Sequence, residues 1–354
     1  MHLQKIKVLV VDDSALMRKI ISDMINSQED FVVADTARNG EELINKIHKV
    51  NPDIITLDVE MPKMDGIQTL KEIRLRNINI PVIMLSSVSN KGTQLTMECL
   101  ESGAFDFIAK PSGTISLDID KVKDDLVEKI RVAYSRSGRV KNSNILEVHN
   151  YADPSIKPGK FKPKQHIGKV DAVVIGASTG GPKALYAVIT ALPSKIGVPV
   201  FVVQHMPAGF TKAFAERLNS NSSIRVTEAS DGMEIQKDVV YIAPGGFHME
   251  VGRDNRIHLN TEPALWGVRP AVDKLFVSAA AVYGSHLLSI VLTGMGKDGA
   301  QGTVEVKKHG GVTFSEHAST CTIYGMPKAA FETGMVDEVV PIHEISANIQ
   351  KLLR

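Results

Sequence analysis

The sequence predicts an α/β chain made of two sheet-centred domains. Three observations point there. Short β-branched runs alternate with amphipathic stretches through residues 1–125. The same alternation resumes at Val170, after a polar stretch carrying three prolines. At 354 residues the chain also exceeds the roughly 250–300 residues at which a single core stops growing.

In the first region the strand candidates are KVLVV (7–11), FVVADTA (31–37), DIITL (53–57), PVIMLS (81–86) and FDFIAK (105–110). Between them lie stretches such as SALMRKIISDMIN (14–26), whose apolar residues recur at helical spacing. Strands alternating with helices build a parallel sheet covered on both faces. Five such units fit the flavodoxin-like form of the doubly wound fold. A last helix is expected over 118–135, with the domain at 1–125 and a linker at 126–169. Composition changes most clearly from Ser135 to Lys169, which is polar, basic and without periodicity. Its Lys and Arg read as solvation.

The second domain is expected at 170–354, also doubly wound. Its strand candidates are 171–175, 198–203, 239–243, 287–293 and 311–315. Its helix candidates are 182–192, 208–219, 270–283, 300–309 and 343–353. The stretch 224–260 is richer in strand than helix, so a small antiparallel section is expected there.

Bulk composition narrows the function class. There are 41 basic and 40 acidic residues, which gives no electrostatic case for nucleic acid or a membrane surface as the main partner. Cys99 and Cys321 are far apart and in no CxxC pattern, as expected of free thiols in a reducing compartment. No apolar run approaches the ~20 residues of a membrane span, so no membrane insertion is expected. The opening MHLQKIKVLVVDD runs into a strand with an acidic end, unlike a signal peptide, so a cytoplasmic protein is expected.

In the first region, strand one ends in Asp12-Asp13, strand three in Asp58, strand four in Ser86-Ser87 and strand five in Lys110-Pro111. Ligands bind open parallel sheets at the carboxyl ends of the strands, so these residues converge on one pocket. Helix capping accounts for Asp12 or Asp58 singly, but not for a Ser and a Lys ending the two remaining strands. Three carboxylates in one pocket repel unless a cation sits among them. Oxygen donors suit Mg²⁺. A carboxylate so placed can attack phosphorus and form an aspartyl phosphate, with the metal and Lys110 offsetting charge.

The set VVDDS, LDVEMPKMDG, MLSS and FIAKP resembles the receiver domains of response regulators over residues 1–125. The resemblance implies Asp58 as the phospho-acceptor, with Asp12 and Asp13 holding Mg²⁺. It implies Asp13, Asp58 and the Glu60 carbonyl as direct ligands. Ser86 would hydrogen-bond the phosphoryl group and Lys110 would pair with it. Phe107 takes the place of the switch aromatic; as Phe it lacks the hydroxyl that a Tyr would use.

In the second region, VVIGASTGGP (173–182) contains Gly-x-Ser-x-Gly at Gly176, Ser178 and Gly180. Alone the motif is weak: it also fits a packing turn, or a phosphate cradle. The phosphate reading lacks GxGxxG, GxxxxGK[ST] and an acidic residue ending the second strand. Pro182 suits the first turn of a helix, which puts Ser178 on a strand-to-helix turn. His205 follows the next apolar run, and Asp298 lies in the glycine-rich loop after LLSIVL. Each has a bland reading, a polar cap for His205 and a helix N-cap for Asp298. Together they form a serine–histidine–aspartate set at the strand ends of one sheet. The order Ser…His…Asp differs from the Ser…Asp…His of α/β-hydrolases. Backbone N–H groups in the glycine loops, best placed at Met295, are candidates for an oxyanion hole.

IGASTGGP, VVQHMPAGFTKAFAERLN, YIAPGGFHME, RPAVDKLF, VLTGMGKDGA and GMPKAA resemble the catalytic domain of the chemotaxis protein-glutamate methylesterase family, over 170–354. The resemblance implies hydrolysis of glutamyl methyl esters on chemoreceptors, releasing methanol, with deamidation of receptor glutamines. It implies Ser178 as nucleophile, His205 as general base and acid, and Asp298 as its orienter. Thr179, Met295 and His248 would line the pocket. No cofactor is expected for the esterase step. A histidine kinase would be the phosphodonor, and the unphosphorylated receiver would partly cover the catalytic cleft. Two rival readings are a phosphorylation-dependent binding module without catalysis and a hydrolase of small-molecule esters.

Overall fold

The computed structural model describes residues 5–111, 119–137 and 169–353. The chain divides into two compact units, Met1–His149 and Asn150–Arg354.

The first unit runs β1 (Ile6–Val11), α1 (Ala15–Asn26), β2 (Phe31–Ala37), α2 (Gly40–Val50), β3 (Ile54–Asp58), α3 (Gly66–Leu75), β4 (Val82–Ser86), α4 (Asn90–Glu101), β5 (Asp106–Ala109) and α5 (Ile119–Arg136). The sheet order is β2-β1-β3-β4-β5, with every pairing parallel. Strand order therefore reverses between β1 and β3, the place where such sheets open a crevice. Short polar residues start the helices. Ser14, Asn39, Asp65 and Ser89 each accept a backbone N–H three residues on, and Asp65 with Gln68 closes a full capping box.

Val8, Val10, Ile54, Ile83, Leu85 and Ile108 of the sheet pack with Ile21, Ile25, Leu126 and Ile130 of α1 and α5. The expected linker thus begins inside a helix, because Leu126, Val127, Ile130 and Ala133 are core residues of this unit. Residues 138–168, the rest of that linker, lie outside the described residues.

The second unit runs β6 (Ala172–Ala177), α6 (Gly181–Ile189), β7 (Val200–Gln204), α7 (Phe210–Asn221), β8 (Arg225–Glu228), β9 (Val239–Ile242), β10 (His248–Val251), β11 (Ile257–Asn260), α8 (Val272–Tyr283), β12 (Leu287–Val291), α9 (Ala300–Lys308), β13 (Val312–Glu316), α10 (Met326–Glu332), β14 (Glu338–Val340) and α11 (Ile342–Leu352). Its sheet has the order β14-β13-β12-β6-β7-β9-β8, again all parallel. The reversal falls between β6 and β12. Phe201, Val203, Tyr241 and Val291 pack under Leu275, Phe276 and Ala279 of α8.

The small antiparallel section is present within 224–260. It is formed by β10 and β11, whereas β8 joins the edge of the main sheet parallel to β9. α10 and β14 were not among the expected elements. β14 is three residues long, too short for a period to register. Among the described residues no helix is long and apolar enough to cross a membrane.

Candidate functional site

The carboxyl ends of β1 and β3 meet at the reversal of the first sheet. Oxygen atoms of Asp12, Asp13 and Asp58 lie within 4.8 Å of one another there. Lys110, just past β5, places Nζ 2.7 Å from Asp12 Oδ2 and 2.7 Å from Asp58 Oδ2. Its backbone N–H donates to Ser86 O, which ties the ends of β4 and β5 together.

Three carboxylates face one ammonium in this pocket. The excess negative charge and the oxygen donors fit a divalent cation of the Mg²⁺ type. Burial pushes the Asp58 carboxyl up to about 6; the Lys110 charge opposes this, and Asp12 adds to it. Burial works against the Lys110 charge, but Asp58 and Asp12 outweigh it and hold its pKa above the ordinary value.

Ser86 is buried, and its hydroxyl is turned toward α4. It accepts from Thr96 Oγ1 at 2.6 Å and lies 3.2 Å from the carbonyls of Ser87 and Gly92. Glu60 sends its side chain outward to Ser87 Oγ, at 3.1 Å. Phe107 is buried in β5, with Lys129 Nζ 5.5 Å from its ring centroid and 2.7 Å from its carbonyl.

In the second unit, Ser178, His205 and Asp298 follow the carboxyl ends of β6, β7 and β12. Ser178 follows β6 directly and is half-buried. Its N–H donates to Thr293 O at 3.0 Å, just beyond β12. His205 follows β7, and its N–H donates to Ala177 O at 3.0 Å. Gln204 Nε2 donates to Ser178 O at 2.9 Å and lies 3.1 Å from His205 O. One buried amide therefore clips the two strand ends together.

His205 Nε2 lies 2.8 Å from Asp298 Oδ2. Asp298 is only 2% exposed. Its Oδ2 also accepts Val272 N–H at 2.7 Å, and its Oδ1 accepts the N–H groups of Asp273 and Gly299 at 2.9 Å each. The N-cap of α8, Ala271, offers no side-chain acceptor. Asp298 satisfies the open N–H groups of α8 from another loop, at the positive end of the helix. Burial works to raise the Asp298 carboxyl, but the His205 bond and charge and these N–H donors outweigh it and hold it below the ordinary range.

Glycines give these loops their close approach. A Cβ on Gly176 would stand 2.3 Å from Val272 Cγ1, at the start of α8. A Cβ on Gly294 would stand 2.3 Å from Met326 Sδ and 2.8 Å from Ser178 Cβ. Gly180 has φ +76° and sits against Thr322. The Gly-x-Ser-x-Gly glycines thus serve turn shape and packing. Gly176→Ala is expected to lower stability by about 1–3 kcal/mol through overpacking. Thermal melts check this, and an unchanged Tm would contradict it.

Thr179 is buried, and its carbonyl accepts from Thr293 Oγ1 at 3.1 Å. Met295 is half-buried on the loop after β12. His248 is fully buried, with Nε2 3.2 Å from Pro263 O and Nδ1 accepting Ala271 N–H at 3.2 Å, so both ring nitrogens are engaged with backbone. Three residues that sequence reasoning passed over hold the crevice together: Gln204, Asp273, and Glu316, whose Oε2 accepts Thr293 N–H at 2.7 Å. Buried in the structure, each looks in sequence like an ordinary strand end or first-turn acid.

A family model for the response regulator receiver domain matches residues 8–119, and one for the CheB methylesterase matches residues 173–349. The two folds and their crevices thus define a response regulator with an α/β output domain. The chain belongs to the CheB methylesterase family. A protein-glutamate methylesterase/protein-glutamine glutaminase from Clostridium acetobutylicum is 56% identical over 352 residues, spanning 99% of either chain. A relative of the same name from Syntrophomonas wolfei is 45% identical over 354 residues, spanning 98% of this chain and 99% of its own. The crystal structure of the Thermotoga maritima CheB methylesterase catalytic domain matches with a TM-score of 0.51 and 43% identity, covering 52% of this chain and all of that one.

Proposed function

We propose that this chain is a phosphorylation-controlled protein-glutamate methylesterase acting on chemoreceptors in the cytoplasm, with a receptor-glutamine deamidase activity at the same site. The observation that carries the reading is the buried His205–Asp298 bond beside Ser178, at the reversal of the sheet. The names of the full-length relatives support the choice of ester and amide.

In the reaction, Ser178 Oγ attacks the glutamyl ester carbonyl. His205 takes the hydroxyl proton through Nδ1, the nitrogen left over by its bond to Asp298. Asp298 fixes the ring and offsets the charge of the imidazolium. The Met295 N–H, with Thr179 alongside, holds the tetrahedral oxyanion. His205 then returns its proton to the leaving methoxide, and methanol departs. Water, activated by the same ring, attacks the acyl-serine and releases a glutamate side chain. With a glutamine substrate the leaving group is ammonia.

In the receiver, Asp58 is the phospho-acceptor and a chemotaxis histidine kinase the donor. Asp13, Asp58 and the Glu60 carbonyl would hold Mg²⁺, with Asp12 close behind. The metal, when bound, offsets the charge of the transferring phosphoryl group. Lys110 Nζ moves from its carboxylate partners to a phosphoryl oxygen. The Ser86 hydroxyl leaves the carbonyls of Ser87 and Gly92 for another. Phe107, lacking a hydroxyl, takes part by packing alone. Phosphorylation raises the activity of the catalytic domain.

Mg²⁺ at a hundredfold excess over its Kd is expected to stabilise the receiver by about 2.7 kcal/mol. The effect should be large above pH 7 and fade as pH falls below about 6, where Asp58 takes up a proton and competes with the metal. Without metal the sign is opposite. Asp58 binds its proton more tightly folded than unfolded, so the stability it contributes is lost as pH rises from its ordinary value through about 6. Thermal melts with and without Mg²⁺ at about pH 5 and pH 8, below and above the Asp58 value of about 6, check both signs. Equal Mg²⁺ shifts at the two pH values would contradict the assignment.

A further inference from the structure

Asp298 is not the only carboxylate buried at the starts of α8 and α9. Asp273, in the first turn of α8, is 3% exposed. Its Oδ1 accepts Gly299 N–H at 2.9 Å and Gly302 N–H at 2.6 Å, at the start of α9. The capping is reciprocal: Asp298, just before α9, caps α8, while Asp273, in α8, caps α9. The remaining oxygen, Asp273 Oδ2, accepts the indole N–H of Trp266 at 2.8 Å.

Trp266 is the chain's single tryptophan. It stands at a strained position. Leu265 and Val268 exchange both backbone hydrogen bonds around Trp266 and Gly267, whose φ values are +55° and +81°. Positive φ at both central residues makes this a type I′ turn, where Asn, Asp or Gly is favoured and a bulky aromatic is out of place. Strain of this kind points toward a function when something else holds it. Here the segment is pinned at both ends. The His248 ring bridges Pro263 O and Ala271 N–H, and the Arg269 guanidinium reaches the carbonyls of Thr261 and Glu262 at 2.8 and 3.0 Å. Lys297 Nζ, next to Asp298 in the chain, lies 4.1 Å from the Trp266 ring centroid.

We infer that Trp266 and Asp273 are a positioning pair for Asp298: the indole N–H keeps Asp273 in place, and Asp273 holds the loop that aims Asp298 at His205. The inference rests on the esterase reading for its rate effect, but not for its geometry. Burial first, and then the neighbouring Asp298, push the Asp273 carboxyl up. Trp266 and the two glycine N–H groups offset that. Without the indole N–H, Oδ2 is an unpaired buried acceptor beside a second carboxylate, a costly arrangement. The carboxyl then takes up a proton or turns, and its hold on Gly299 and Gly302 loosens. Neither residue touches the reacting atoms.

The test uses full-length protein as wild type, Trp266→Phe, Asp273→Asn and the double variant. Two readouts serve: hydrolysis of p-nitrophenyl acetate, and the low-field proton signal of His205 Nε2–H. Trp266→Phe keeps the ring and removes the donor. It is expected to lower kcat about tenfold, the equivalent of one hydrogen bond to a charged group, with KM within about twofold. Asp273→Asn should lower kcat further, and adding Trp266→Phe to it should cost little more, because the two act as one unit. The low-field signal should shift in each variant. Losses that multiply independently, or an unmoved signal in folded Trp266→Phe, overturn the inference. A wild-type chain inactive on every ester would sink the esterase reading, and the proton signal would still decide the positioning claim.

Discussion

Ser178→Ala is expected to lower ester hydrolysis by about 10⁴-fold or more, with the fold intact. Among the described residues, no hydrogen bond of the fold runs through this hydroxyl. What holds this turn is backbone: Ser178 N–H to Thr293 O, and Ser178 O to Gly181 N–H and Gln204 Nε2. All three survive the substitution. In the proposed mechanism the loss is therefore chemical, the removal of the atom that would form the acyl-enzyme. The residual rate would come from the oxyanion donors and substrate binding alone. Kinetics on a chromogenic ester, with mass-spectrometric search for a fluorophosphonate adduct on Ser178, check it. A variant that keeps both rate and adduct would move the nucleophile elsewhere.

Asp298→Asn is expected to lower kcat by roughly 10³–10⁴-fold with little change in KM. Four N–H groups converge on this carboxylate: those of Val272, Asp273 and Gly299, and the His205 ring. An amide has one acceptor oxygen. Whichever way it turns, its NH₂ faces a donor. If it faces His205, the ring must present Nε2 as acceptor, and Nδ1 carries the proton and cannot serve as base. The variant should also lose stability. The carboxyl is held below its ordinary range, so its contribution is full above the unfolded pKa and is lost as pH falls through the folded one. A wild-type advantage that shrinks in acid, seen in melts of both proteins, is the expected signature. Equal stability across the pH range would contradict it.

Much of this was legible in the sequence, for a physical reason. A buried parallel strand is a continuous apolar run, so the first polar residue after it marks the carboxyl edge where ligands bind. Asp12, Lys110 and Ser178 are such residues, Asp58 follows a run broken only by Thr56, and His205 stands one past Gln204. Edge elements were less legible. β8 has four residues and an exposed face, and its parallel direction comes from pairing with β9, which no local pattern encodes. The reciprocal caps were invisible too. Asp273 reads as an ordinary acid in a helix's first turn, and nothing near it in sequence says that its acceptors serve a helix that starts at Ala300. The contacts of His248 are as distant in sequence: its partners, Pro263 and Ala271, are 15 and 23 residues away.

In the proposed function, phosphorylation of Asp58 in the first unit controls the reaction at Ser178 in the second. Methanol release from methylated receptor membranes tests it most directly, with and without a small-molecule phosphodonor, for wild type, Ser178→Ala and Asp58→Ala. The expected result is release by wild type that the phosphodonor stimulates, unstimulated release by Asp58→Ala, and none by Ser178→Ala. Stimulated release by Asp58→Ala, or release by Ser178→Ala at the wild-type rate, would contradict it.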